Sequence, residues 1–275
     1  MSGAWFARRG VPLYAIELPP AVPGAILTMQ NRYVGDIGDY VKLGILRALS
    51  PGYRLGVAWW LHPDEDHNRD GRHIGYLDRS DQWRHFDPAL FDALRQIVSS
   101  GQREVRALGA NVLPGAAFAN DMIPVDGPIA QRSHMRRQWF EKVQFVLKCV
   151  NLMFVDPDNG LEPEGFTFGS TKAAKSVSLD ELRALADPGR CLIVYHHHTR
   201  RKGGHRAEIR YCADRLRQSG FGRVDALRAK PFSPRAFFLL DAPNEVRRRA
   251  EQVEDRWNSL ITWHPNVGME ALITQ

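Results

Sequence analysis

Apolar residues recur along this 275-residue chain in two rhythms, and the change from one to the other marks the elements. Near-continuous apolar runs at Leu55–Leu61, Val150–Val155 and Cys191–Tyr195 read as strands buried on both faces, the signature of a parallel sheet. Between them, apolar positions fall at helical spacing: Val41, Ile45, Leu46 and Leu49, then Leu90, Phe91, Leu94 and Val98, then Met135, Trp139, Val143 and Val146. The same spacing returns at Ile209, Cys212, Ala213 and Leu216, and at Val246, Ala250, Val253 and Trp257.

Punctuation fixes the boundaries. Asp36 or Asp39 caps the first helix and Ser50-Pro51-Gly52 stops it; Asp87-Pro88 opens a second helix that ends near Gly101. A polar loop is expected from Pro63 to about Arg84, a short strand over Arg103–Leu108, and the longest helix over Ile129–Lys148. Ser178 caps a short helix over Leu179–Ala186, and a helix is predicted over Gly204–Gln218. Val224–Arg228 and Ala236–Leu240 read as a closing strand pair. The predicted fold is α/β and Rossmann-like, a mostly parallel central sheet with helices on both faces and a closing antiparallel strand pair. Residues 29–275 form its single domain; residues 1–28, interrupted by Pro12, Glu17, Pro19, Pro20 and Pro23, read as a loosely ordered arm without a signal-peptide core.

Composition narrows the class. No apolar run reaches the roughly 18 residues of a membrane span. Cys149, Cys191 and Cys212 show no pairing or C-x-x-C spacing, which fits a reducing cytoplasm and no zinc site. The net charge of +6 and the clusters Arg132, Arg136, Arg137, then Arg200, Arg201, Lys202, Arg206, Arg210, then Arg247, Arg248, Arg249 point toward a nucleic-acid or other phosphate-bearing partner. Oligomeric state is not legible.

Candidate chemistry gathers where two strands end. The run Val150–Val155 delivers Asp156-Pro157-Asp158-Asn159-Gly160, and Cys191–Tyr195 delivers His196-His197-His198-Thr199-Arg200. If both strands are parallel, both tips lie at the carboxyl edge of the sheet, where α/β enzymes bind ligands. Asp156, Asp158, Asn159 and His197 are the expected catalytic group. Successive residues of a strand alternate in direction, so the three histidines cannot share a face and no metal site is expected of them. Lys42, Lys175, Tyr195 and Arg200 are expected to contact substrate. Asp66, Asn68, Asp70 and Gly71 match half of an EF-hand loop, but Leu77 stands where the closing glutamate is required.

This order of elements resembles the Rossmann-like methyltransferases, in particular the ribosomal RNA adenine-N6 methyltransferases, and the three-Cys-motif partner family. The likeness is carried by the helix Asp36–Leu49 before the first strand, Phe154-Val155-Asp156-Pro157 at the fourth-strand position, Ile193-Val194-Tyr195 at the fifth, and the closing pair. The chain also looks like a bacterial family of uncharacterised proteins with Asp156-Pro157-Asp158-Asn159-Gly160 and a Tyr195-x-His197 pattern. Against the adenine methyltransferase motif, Asp158 and Asn159 replace a proline and an aromatic, and Leu61-His62-Pro63-Asp64 stands where a glycine-rich turn is usual. The resemblance implies S-adenosylmethionine as cofactor, touched by Asp36, Asp39 or Asp64, with Asp156 holding a nucleophilic amino group of a nucleic acid or other phosphate-bearing substrate. An alternative keeps the fold and makes Asp156 and Asp158 ligands of Mg2+ or Mn2+ in a nuclease or phosphoesterase. A third reading is a non-catalytic binding module that uses the basic clusters alone.

Overall fold

The computed structural model describes residues 33–62, 71, 73–101 and 103–268; the expected arm 1–28, the EF-hand-like residues Asp66–Asp70 and Asp64 lie outside them. In chain order the elements are α1 (Ile37–Leu49), β1 (Leu55–Trp59), α2 (Ser80–Trp83), α3 (Pro88–Ser99), α4 (Val105–Val112), β2 (Ala117–Ala119), α5 (Ile129–Val146), β3 (Leu152–Asp156) and β4 (Gly160–Leu161). They continue with β5 (Ser176–Val177), α6 (Leu179–Leu185), β6 (Cys191–His197), α7 (Gly204–Gln218), β7 (Val224–Ala229), β8 (Arg235–Leu240), α8 (Asn244–Trp257) and β9 (Ile261–His264).

The apolar runs become the centre of a seven-stranded sheet in the order β2-β1-β3-β6-β8-β7-β9, with β4 and β5 forming a separate parallel pair. β2, β1, β3 and β6 run parallel; β8 runs against β6, and β7 and β9 each run against their neighbour. Strand side chains alternate between two cores. Val57, Trp59, Phe154, Ile193 and Phe237 pack under α1, α3, α4 and α8. Ala58, Trp60, Met153, Val155, Val194 and Phe238 pack under α5, α6 and α7. The fold is thus α/β with helices on both faces, as the two rhythms predict. Among the described residues, no helix is long and apolar enough to cross a membrane.

The first helix is anchored firmly, which matters because it supplies the site. Gly44 lets Trp257 of α8 close against α1: a Cβ there would lie 2.5 Å from Trp257 Cζ2. Trp257 stacks in turn on Phe86, with ring centroids 4.9 Å apart.

Several sequence expectations need correction. The segment expected as a strand, Arg103–Leu108, leads instead into α4, which starts at Val105, because Val105, Leu108 and Val112 recur at helical spacing and bury one face. The polar loop before Arg84 contains a 3-10 turn, Gly75–Asp78, and α2. On α5, Val146 is exposed and Met135 only half-buried; the inward face is Arg136, Trp139, Phe140 and Val143. The strands β2 and β9, of three and four residues, are too short to show a period.

Two of the three arginine clusters are largely structural. Arg136 is buried and donates to both oxygens of Glu181 at 2.7 Å and to the carbonyls of Ala173 and Ser176. Arg132 holds the carbonyls of Gly127 and Gly169. Arg247 pairs with the fully buried Asp225, and Arg248 and Arg249 pair with Glu245.

Candidate functional site at the carboxyl edge of the sheet

The parallel register Trp59–Asp156 and Val155–Val194 brings the carboxyl ends of β1, β3 and β6 to one edge. There a cleft of about 450 Å³ opens, of the size that small ligands occupy. Its floor is ionic and its rim mixed.

α1 enters the cleft by its first turns. Asp36 is the N-cap: its Oδ1 accepts from Asp39 N at 2.9 Å. Asp39 Oδ2 accepts from Gly35 N at 3.3 Å, and its Oδ1 lies 3.4 Å from Lys42 Nζ. One turn along, Lys42 Nζ reaches across to Asp156 Oδ2 at 2.7 Å while lying over the rings of Trp59 and Tyr195. Burial pushes the Asp39 carboxyl up to about 7 against the pull of Lys42, with Asp36 and Asp156 adding to the rise. Burial likewise raises Asp156, again opposed by Lys42. Burial works to lower Lys42, but Asp156 and Asp39 outweigh it and hold the ammonium above its usual range. The result is a fixed cation between carboxylates in a water-poor pocket.

Beyond Asp156 the chain crosses the tip of β6. Gly160 has φ +101°, and a Cβ there would meet His196 Nδ1 at 2.4 Å and His196 Cα at 2.6 Å, so glycine is required by both conformation and space. Asn159 N donates to Lys175 O at 2.7 Å, and His197 N donates to Asn159 O at 3.3 Å. These bonds set Asp158 at the cleft with Lys175 Nζ 3.7 Å from its Oδ2, and leave the Asn159 side chain exposed. The turn that carries Lys175 is fastened from below by Arg136, through the carbonyls of Ala173 and Ser176.

Alternation along β6 separates the histidines. His196 points away from the cleft: its Nδ1 accepts from Leu161 N at 3.2 Å, which puts the proton on Nε2, 3.2 Å from Glu208 Oε1. His198 Nδ1 meets the other Glu208 oxygen, and Thr199 N donates to both. Glu208 is held down to about 2: burial alone would raise it, and the bonds from His196 and Thr199 reverse that. Tyr195 and His197 face the cleft. His197 Nδ1 lies 3.2 Å from Tyr195 Oη and its Nε2 lies 3.3 Å from Ser233 Oγ. Burial, then Arg235 and His196, lower its pKa below the ordinary histidine value, which favours the neutral ring.

Arg235, at the start of β8, completes the wall. Its Nε donates to Ser233 O at 3.0 Å, and it forms no ion pair among the described residues. A Cβ on Gly38 would lie 2.2 Å from Arg235 Nη1, so the bare first turn of α1 makes room for the guanidinium. Val34, Val105 and Leu108 line an apolar side of the same cleft. Trp59, also lining it and 2% exposed, has an indole N–H with no hydrogen-bond partner among the described residues.

Of the residues singled out from sequence, Asp36, Asp39, Lys42, Asp156, Asp158, Asn159, Lys175, Tyr195 and His197 line this one cleft; Arg200 is exposed and outside its lining. Arg235, Ser233 and the orienting Glu208 were not singled out. Glu208 did leave a signal, since it falls four residues before Cys212 and eight before Leu216 on the apolar stripe of α7. Compared with family models, curated proteins and solved structures, the chain matches nothing.

Proposed function

We propose that the protein is an enzyme that binds a phosphate-bearing substrate in this cleft and transfers a methyl group to it from S-adenosylmethionine. The observation that carries the substrate reading is Arg235, a guanidinium with no ion pair among the described residues that lines the cleft beside His197 and the Asp156–Lys42 pair. Such a guanidinium suits a phosphate.

Strand order supports the reaction class. The reversed β8 lies between β6 and β7, and β7 with β8 forms the closing pair that is one of the points of likeness to methyltransferases. The residues fit the cofactor's chemistry: Val34, Val105 and Leu108 offer an apolar wall to an adenine, and Asp36 and Asp39 offer carboxylates to a cationic ligand. When bound, the cofactor supplies an activated methyl group. Asp156 takes a different part from the one its motif implies. Lys42 holds Asp156 Oδ2 at 2.7 Å, whereas Lys175 stands off Asp158 at 3.7 Å, so Asp158 and Asn159 are the groups proposed to orient a substrate amine or hydroxyl. His197 accepts the proton that group gives up, at Nε2 beside Ser233. Metal-dependent hydrolysis through Asp156 and Asp158 fits less well, because an ammonium sits 2.7 Å from one of the two proposed ligands. Among the described residues no group of three or more histidines, cysteines, aspartates or glutamates is placed to hold a metal.

Calorimetric titration with S-adenosylhomocysteine and with adenosine monophosphate tests both halves. Arg235→Gln is expected to weaken the nucleotide by about tenfold or more, the usual effect of losing a charged hydrogen bond, and to leave S-adenosylhomocysteine unchanged. No binding of S-adenosylhomocysteine removes methyl transfer. Equal nucleotide affinity in the variant removes the phosphate role of Arg235.

A further inference from the structure

The tip of the β7–β8 hairpin carries a feature that neither packing nor the chemistry above explains. Ser233 N donates to Pro231 O at 2.7 Å, closing a three-residue turn around Phe232, whose φ is +57°. Positive φ is costly for a bulky residue, and a turn of this size and hand is a strained one. The strain does not bury the ring: Phe232 is 56% exposed, one of the few large apolar side chains at the surface among the described residues. Its one aromatic neighbour among the described residues is His73, with ring centroids 4.8 Å apart and planes tilted by 35°. His73 lines the cleft and is itself exposed. Ser233, which contacts His197, follows Phe232 directly, and Arg235 comes two residues later.

We infer that Phe232, with His73 beside it, is a stacking platform for an unpaired base of a single-stranded nucleic acid whose phosphate is held by Arg235. The inference rests on the phosphate-binding reading of the cleft and narrows its substrate class. A ring displayed at the rim, rather than inside, takes one face of a base while the strand continues across the surface. The surface it would cross is basic. Where the chain leaves β6 at the same edge of the sheet, Arg200, Lys202 and Arg206 are exposed, while the neighbouring Arg201 is engaged by Glu164 and the ring of Tyr211. Aromatic stacking beside a cationic track is how proteins grip single strands without reading sequence.

Fluorescence anisotropy with labelled single-stranded DNA, single-stranded RNA and duplex DNA of one length tests the inference on the full chain. The wild-type protein is expected to bind a single strand more tightly than the duplex, and Phe232→Ala to weaken that binding by about tenfold, within the range of one lost base stack. Phe232→Tyr keeps the platform and is expected to keep the affinity. Phe232→Gly is the variant that separates binding from folding: glycine accepts the positive φ freely, so thermal stability should hold or rise while binding falls. The two single-strand arms tell DNA from RNA. Unchanged affinity in Phe232→Gly, together with loss in Arg235→Gln, overturns the platform and leaves the phosphate site standing. Tighter binding of duplex than of either single strand also overturns it. If none of the three nucleic acids binds, the inference fails, and adenosine monophosphate binding then decides separately whether the phosphate site survives.

Discussion

Lys42→Met is expected to lower the unfolding free energy by about 3–5 kcal/mol at neutral pH, the usual loss when one partner of a buried ion pair is removed. The ammonium has 13% of its side chain exposed and its two partners, Asp39 and Asp156, 5% and 6%. Methionine keeps the volume, so the loss measures uncompensated carboxylates rather than a cavity. The pH dependence has a definite sign. Asp39, raised from 3.8 to about 7, contributes fully below its unfolded value, and that contribution is lost as pH rises toward 7. Asp156 is raised too and acts in the same direction. Lys42, whose folded pKa is raised, contributes fully below 10.5 and so does not vary between pH 5 and 8. Removing it frees both carboxylates to rise further. Urea unfolding of the variant against the wild type at two pH values, about 5 and about 8, should therefore show the larger loss at the higher pH. An equal or smaller loss there would mean that Lys42 does not compensate these carboxylates.

Gly160→Ala is expected to cost about 3 kcal/mol or more, the sum of a strained backbone and an overpacked contact. The obstruction at 2.6 Å is the Cα of His196, which belongs to a central strand and cannot turn aside. Any relief must lift the segment Asp158–Leu161 and break the bonds from Leu161 N to His196 and from His197 N to Asn159. Gly165→Ala is the matched control. Its φ is +72°, but a Cβ there meets nothing within 4 Å, so only the conformational part, about 1–3 kcal/mol, should remain. Chemical denaturation of both variants checks the pair, and equal losses would show that the contact with β6 carries no weight.

The two strand tips were legible because chemistry and periodicity coincide in them. Each apolar run breaks abruptly on a polar cluster, and parallel strands must place both breaks on one edge. The double aspartate at the start of α1 was legible as well, since one cap explains only one carboxylate. What joins these segments was not. Lys42 and Asp156 are separated by 114 positions, and nothing local in either segment names its partner. Arg235 reads as the ordinary polar first residue of a strand, and only the β6–β8 pairing sets it opposite His197. Arg136 looked like part of a basic surface cluster. Its position three before Trp139, four before Phe140 and seven before Val143 marks the inward face of α5, but burial of an arginine depends on Glu181, supplied by another helix. The histidine triplet shows both sides: alternation correctly separates His197 from its neighbours, whereas the carboxylate that fixes His196 and His198 lies on α7.

A crystal structure of the protein bound to adenosine monophosphate tests the central claim most directly. The account places the phosphate on the guanidinium of Arg235, at the carboxyl edge of β1, β3 and β6, with Lys42 still paired to Asp156 beneath it. Nucleotide bound instead at the opposite edge of the sheet, in the hollow lined by Arg47, His85 and Arg256, would contradict it.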